Sequence, residues 1–350
     1  MSNRRVCVLS LIALLLIPSV SKAEVPRLHE VYSDYFLIGV AHGLGPQYSR
    51  FDDLVAYHFN VITPENLMKW NALQPQPGVF NFEAADAFVD FAHENGLKVI
   101  GHVLIWHEQT PAWVFQDEDG NPASRELLIE RMETHIKQVV GHFKGRVHGW
   151  DVVNEAVEGG DLRDSPWRQI IGDDYIALAF QFAHEADPDA ELYYNDFNLV
   201  EGPKRARVYR LIQDLQQQGI RIDGVGMQAH YDITWPSPEL VSETIQYFAS
   251  LGVAVHITEL DISVYPWSDR RNLYSDGLPD DIATRQAARY AELFEVFRTH
   301  ADVIERVTLW GVSDDMSWKN YYPVRRRDYP LLFDSAGEPK PAFWAIIPTE

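Results

Sequence analysis

The sequence predicts a single (β/α)8 barrel of the TIM type, an α/β fold. Three observations predict it. Eight short apolar runs recur along the chain, amphipathic helical patterns fill the intervals, and run after run begins apolar and finishes polar. Two doubly wound domains fit less well. No Gly-x-Gly-x-x-Gly opens a helix, and no linker, low-complexity run or composition shift divides the chain.

Strands are expected near residues 36–41, 61–64, 99–105, 147–153, 192–195, 225–229, 255–259 and 307–311. After the second, Ala85, Phe88, Val89 and Ala92 recur at helical spacing, and Gly96 stops that helix. After the third, Leu128, Met132, Ile136 and Val139 mark another. Ser165-Pro166 and Ser237-Pro238 each set an N-cap residue before a proline at the first helical position. Val208, Leu211, Ile212 and Leu215 repeat the helical spacing and are ended by Gly219, and Tyr290, Phe294 and Phe297 mark a late helix. The polar residues that finish the runs are His42, Glu65-Asn66, His102 and Trp106, Asn154-Glu155, Asn195-Asp196, Gln228 and His230, Glu259 and Asp261, and Asp314. Barrel enzymes keep their chemistry at the C-terminal strand ends, where these residues fall.

Ahead of the barrel, Arg4-Arg5 precede an apolar stretch from Val6 to Val20, and Ser21-Lys22-Ala23 supplies small residues before a cut. Residues 1–23 are therefore expected to be a secretory signal peptide, and 24–350 the barrel domain, secreted or periplasmic after cleavage near Ala23. The run is too short, and interrupted by Pro18, for a membrane anchor. The only cysteine, Cys7, leaves with it. The mature chain then has no disulfide, thiol nucleophile or thiolate metal site, and a large core must hold the fold. The formal charge of −21 becomes −24 once Arg4, Arg5 and Lys22 are removed. So acidic a surface argues against nucleic acid and anionic membranes and leaves a neutral polymer as the easier partner.

Glu155 and Glu259 close the fourth and seventh predicted strands. Facing each other across a barrel mouth, two such carboxylates suit a glycosidase, one protonating the leaving group and the other attacking. A lone strand-end glutamate as readily caps a helix or pairs with an arginine; two on these strands favour catalysis. Asn154, just before Glu155, could donate to a sugar 2-hydroxyl, although a loop asparagine often satisfies only its own backbone. Trp70, Trp106, Trp113, Trp310 and Trp318 fall in or after strand ends and are expected to stack on sugar rings while their N–H groups serve hydroxyls; Trp113 alternatively packs the third loop. His102, His107, His230 and His256 raise the question of a metal. Yet no His-x-His lies on the first strand, and no ligand pair has helical spacing with a carboxylate base, so neither a metal nor a cofactor is expected. His230 is read as holding the nucleophile ionised, His256 as packing, Lys69 as a donor to sugar hydroxyls, and Arg325-Arg326-Arg327 as a solvated loop face. There is no Gly-x-Ser-x-Gly elbow and no phosphate-cradling loop.

With these residues assembled, the chain resembles glycoside hydrolase family 10, the endo-β-1,4-xylanases, from about Val31 onward. The likeness rests on Thr63-Pro64-Glu65-Asn66-Leu67-Met68-Lys69-Trp70, Gly101-His102 with Trp106-His107-Glu108-Gln109-Thr110-Pro111, Trp150 to Glu155, Asn195-Asp196-Phe197-Asn198, Gly226-Met227-Gln228-Ala229-His230-Tyr231, Ile257-Thr258-Glu259-Leu260-Asp261, and Trp310-Gly311 with Ser317-Trp318. The resemblance implies that Glu155 is the acid/base and Glu259 the nucleophile of a retaining reaction. It further implies that Glu65, Asn66, Lys69 and Gln109 line the second sugar site on the non-reducing side. His102, Trp106, Asn154, Gln228, His230, Trp310 and Trp318 would surround the sugar being cleaved. Xylan and xylo-oligosaccharides are the implied partners, and a monomer the expectation. Val103, Glu108 and Phe197 depart from the family's usual threonine, serine and tyrosine, which touches subsite preference. The rival expectations are a β-glucan or mannan hydrolase of the same mechanism, a non-catalytic xylan-binding protein, and a metal-dependent barrel hydrolase.

Overall fold

The computed structural model describes residues 25–348. The expected signal segment at 1–23 lies outside them. Eight strands form the barrel: β1 Leu37–His42, β2 Val61–Pro64, β3 Lys98–Ile105, β4 Gly149–Asn154, β5 Glu191–Asp196, β6 Gly224–Met227, β7 Ala254–Ser263 and β8 Ile304–Leu309. Neighbours pair in parallel in chain order, and β8 pairs with both β7 and β1, which closes the sheet. Every expected strand is present. The eighth starts earlier than its apolar run, because the charged pair Glu305-Arg306 joins the ladder with Arg306 turned into the barrel.

Eight helices follow the strands in turn: α1 Asp52–His58, α2 Glu83–Glu94, α3 Arg125–His142, α4 Tyr175–Ala186, α5 Gly202–Gln217, α6 Pro238–Ala249, α7 Asp280–Thr299 and α8 Pro341–Ala345. The spacing read from the sequence is the buried stripe of each: Ala85, Phe88, Val89 and Ala92 on α2, and Val208, Leu211, Ile212 and Leu215 on α5. The expected caps are made. Ser237 Oγ accepts from the Leu240 amide at 3.2 Å, and Ser165 caps a short helix at Pro166–Ile171. No helix among the described residues is long and apolar enough to cross a membrane.

The core has three parts, one of them Val264, Tyr265 and Ile282 beside the loop after β7; the other two make the barrel. The larger lies between strands and helices. The smaller, Val61, Ile100 and Tyr193, joins β2 and β3 to the non-adjacent β5, so it runs through the barrel itself. The Tyr193 ring there meets His256 at 4.6 Å and the Arg306 guanidinium at 4.5 Å. His256 is buried packing, and burial, followed by Arg306, drives its pKa well below the usual histidine value. Because all eight strands run parallel, their C-terminal ends open on one face.

Candidate active site

Plain alternation along β7 turns Glu259 to the face opposite Thr258. The register between β7 and β8 shifts between Ile257 and Leu260, and this irregularity brings both side chains back to the same neighbour. That neighbour is Asn195 at the end of β5. Its Oδ1 accepts from the Thr258 hydroxyl at 2.6 Å, and its Nδ2 donates to Glu259 Oε1 at 2.7 Å and to Asn154 Oδ1 at 2.9 Å. Space for this is made on β6. A side chain at Gly226 would put its Cβ within 2.3 Å of Asn195 Oδ1.

Glu155 is delivered by a different device. It follows the last residue of β4 in the left-handed region, with φ 57°, and its amide donates to the Asn195 carbonyl at 2.9 Å. Such a φ is strained for a residue with a side chain, and here the tie to β5 holds it. Glu155 Oε1 accepts from Gln228 Nε2 at 3.0 Å and from Asn154 Nδ2 at 3.2 Å. The two glutamates are thus linked by a short relay of amides, Glu155–Asn154–Asn195–Glu259.

Ala229 also adopts the left-handed conformation, φ 61°, between Gln228 and His230. The turn lets residues two apart serve opposite carboxylates, Gln228 reaching Glu155 and His230 reaching Glu259. A short strand, His230–Asp232, then pairs with the upper end of β7. His230 Nε2 lies 3.2 Å from Glu259 Oε2, and Nδ1 lies 2.9 Å from Asp261 Oδ2. Burial alone would lower the His230 pKa; Asp261 and then Glu259 outweigh it and push it up to about 9. Asp261 is also buried, and His230 and Lys319 hold its carboxyl below the usual range. Glu259 therefore accepts from an amide on one oxygen and from an imidazolium on the other.

Beside this pair lies a second polar group. Lys69 Nζ donates to Gln109 Oε1 at 2.7 Å and to Asn66 Oδ1 at 3.0 Å, and sits 4.9 Å from the centre of the Trp106 ring. Burial lowers the Lys69 pKa against the pull of Glu259, Glu65 and Glu155. Glu65 Oε2 accepts from the Tyr48 hydroxyl at 3.2 Å, and burial raises its pKa over the opposing effects of Lys69 and Tyr48. His102 Nδ1 meets Asp151 Oδ2 at 2.9 Å, and its ring stands edge-on to Trp310 at 5.3 Å. Trp318 packs at 4.9 Å from the His230 ring.

Of the residues singled out from the sequence for the two sugar sites, Asn154, Gln228, His230 and Trp318 gather about the glutamates, Glu65, Asn66, Trp106 and Gln109 about Lys69, and His102 and Trp310 form a pair of their own, on β3 and just past β8. The tryptophans divide. Trp70 is not a platform but core, stacked on His135 at 3.6 Å and tilted against Trp167 at 5.5 Å, because its helix, Trp70–Leu73, packs it inward. Trp113 packs the third loop through its N–H to the Pro75 carbonyl and Arg131 over its ring. The Trp318 N–H is committed to Asp261 Oδ2 at 2.8 Å rather than free for a hydroxyl, whereas the buried Trp106 N–H has no partner among the described residues. The arginine run is also not a uniform solvated face: Arg326 is buried over the Tyr265 ring at 3.9 Å. Tyr48 was missed, since nothing in its local sequence points to a glutamate on the next strand. Asn195 was visible only as a polar strand end, and its role needed the partners from β4 and β7. No group of three His, Cys, Asp or Glu side chains placed to hold a metal occurs among the described residues.

The model of glycosyl hydrolase family 10 matches residues 27–349. A protein named endo-1,4-beta-xylanase from Geobacillus stearothermophilus is 45% identical, covering 93% of this chain and 99% of its own. A beta-1,4-xylanase from Dictyoglomus thermophilum is 44% identical over 99% of both chains. Among solved structures, xylanase B from Clostridium stercorarium F9 superposes with a TM-score of 0.89 at 44% identity, covering 92% of this chain and 99% of that one.

Proposed function

The chain belongs to glycosyl hydrolase family 10, and on that footing we propose that it is an endo-β-1,4-xylanase cleaving internal bonds of xylan with retention. The observation that carries the proposal is the amide relay from Glu155 through Asn154 and Asn195 to Glu259. A retaining pair sits roughly 5–5.5 Å apart, and the relay supports that reading by joining the two carboxylates through only two asparagine side chains.

In the first step a Glu259 oxygen attacks the anomeric carbon while the glycosidic C–O bond breaks. The departing oxygen takes the proton from Glu155. Glu155 Oε1 is occupied by two amides, so Oε2 is the oxygen that carries that proton. In the second step Glu155 removes a proton from water, the water oxygen attacks the same carbon, and the ester to Glu259 is released. Two inversions give net retention. The His230 imidazolium and the Asn195 amide stabilise the Glu259 carboxylate as a leaving group in that second step.

Lys69, Asn66, Gln109 and Glu65 form a donor and acceptor array that suits the hydroxyls of the next sugar. Trp310, edge-on to His102, supports a narrow space beside the cleaved sugar, which favours xylose over a sugar bearing a hydroxymethyl group. A steric misfit of that size is worth about 1–3 kcal/mol, so discrimination is finite. The signal segment expected at residues 1–23 supports a secreted or periplasmic enzyme, and no metal or cofactor enters these steps.

Proton NMR of arabinoxylan hydrolysis, followed in time, tests the proposal. Short xylo-oligosaccharides should form first as β-anomers. First-formed α-anomers would overturn the role of Glu259, and greater turnover of mannan or β-glucan would move the substrate to that polymer.

A further inference from the structure

A second cleft, of about 370 Å³, opens on the same end of the barrel between the loops that follow β7 and β8. Asn272, Asp315, Asn320, Tyr321, Arg325 and Arg327 line it. Its charge runs against that of the molecule as a whole, which is −21. Arg325 and Arg327 are exposed and form no ion pair among the described residues. Arg326 between them is buried and committed, its guanidinium over Tyr265 and donating to the Asp269 carbonyl. The one carboxylate in the wall, Asp315, is already paired with Arg50 and accepts from the Ser313 hydroxyl. Asn320 is held by its own bonds to the Asp314 carbonyl and the Asp328 amide, and the Arg327 amide donates to Asn272 Oδ1, so the walls are fixed.

An aromatic path runs from the catalytic pair to Tyr322, the chain neighbour of Tyr321 in the cleft wall. Trp318 lies 4.9 Å from His230 and stacks on Tyr322 at 5.6 Å, and Tyr322 leads to Trp267 at 5.8 Å. Tyr321, Tyr322 and Trp267 are among the most exposed large side chains of the protein. Exposed aromatic faces beside a sugar site suit further sugar rings. The Arg325 guanidinium, which has no partner among the described residues, and that of Arg327, whose Nη1 makes one long bond to the Ser275 carbonyl at 3.4 Å, suit a planar carboxylate, which they can grip through their remaining N–H donors. A ligand that offers both is a sugar acid.

We infer that this cleft takes a uronic-acid group carried as a side substituent on the polysaccharide held in the catalytic cleft, with Arg325 and Arg327 on the carboxylate and Tyr321 or Tyr322 against the ring. The inference rests on the proposed xylanase activity. It makes an acidic side group a recognised feature of the substrate rather than an obstacle to binding.

The test compares the wild type with an Arg325→Gln/Arg327→Gln variant on three substrates: glucuronoxylan, the same polymer with its carboxyls reduced to alcohols, and unsubstituted xylohexaose. Both arginines are exposed, and an unchanged melting temperature confirms the fold. On glucuronoxylan, kcat/KM should fall about five- to tenfold in the variant, the range expected of two partly exposed charge pairs, and added salt should shrink the difference. Xylohexaose and the reduced polymer should be turned over equally by both proteins. Equal kcat/KM on glucuronoxylan would overturn the inference, as would an equal loss on all three substrates. Wild-type protein inactive on xylohexaose and on both polymers would instead sink the xylanase assignment, and this inference with it.

Discussion

His230 couples the catalytic pair to the stability of the fold, and replacing it by glutamine exposes the coupling. The imidazolium lies between two carboxylates, 2.9 Å from Asp261 and 3.2 Å from Glu259, and its pKa rises from 6.5 to about 9. Between those values the native protein keeps a proton that the unfolded chain has lost. The free energy of unfolding therefore falls as pH rises through that window. The contribution is fully present below pH 6.5 and gone above about 9. At about 1.4 kcal/mol per pH unit it amounts to about 3 kcal/mol. Asp261 shares the same pair, so its lowered pKa is not a separate addition. The assay is urea unfolding of the wild type and His230→Gln at pH 6 and at pH 9.5. The variant should be less stable at pH 6 by about 3 kcal/mol more than at pH 9.5. Tyrosines and lysines titrate in both proteins, so their effect cancels in the difference. Parallel pH dependences in the two proteins would refute the reasoning, and so would His230 ring protons titrating near 6.5.

Glu259→Ala should abolish turnover of xylan while leaving the melting temperature near that of the wild type; near-normal activity would remove it from the chemistry. Glu155→Ala should spare the first step on aryl xylobiosides with very good leaving groups and slow the second, giving a burst in stopped-flow absorbance. Equal slowing of both steps would contradict the acid/base role. Asn195→Ala removes the donor shared by Glu259 and Asn154, so kcat/KM on xylohexaose should drop ~10²-fold, as for the loss of one preorganised donor. A drop confined to KM would instead make Asn195 a ground-state binding group.

The barrel was legible because its signal is local. Eight apolar runs with polar ends, and helical stripes such as Ala85, Phe88, Val89 and Ala92, each depend on neighbours in the chain and on burial of one face. The two glutamates and the polar group around Lys69 were legible for a related reason: in a parallel barrel the strand end fixes the face, so position along the strand is already position in the fold.

What the sequence could not hold was the effect of closing the sheet. The shift in β7 that turns Glu259 beside Thr258, and the left-handed conformations of Glu155 and Ala229, exist because bonds from other strands hold them there. Asn195 bonds both Glu259 and Asn154, the neighbour of Glu155, only because β5 stands between β4 and the strands that lead to Gln228 and Glu259. Trp70 and Trp106 lie near each other in function only on paper: one stacks on His135 in the core and the other faces Lys69. Arg326 is buried while its two neighbours are exposed, although the three residues are chemically identical. Composition and periodicity determine which elements form and which face they bury; the direction of a single polar side chain depends on partners tens of residues away, and only the closed barrel supplies those.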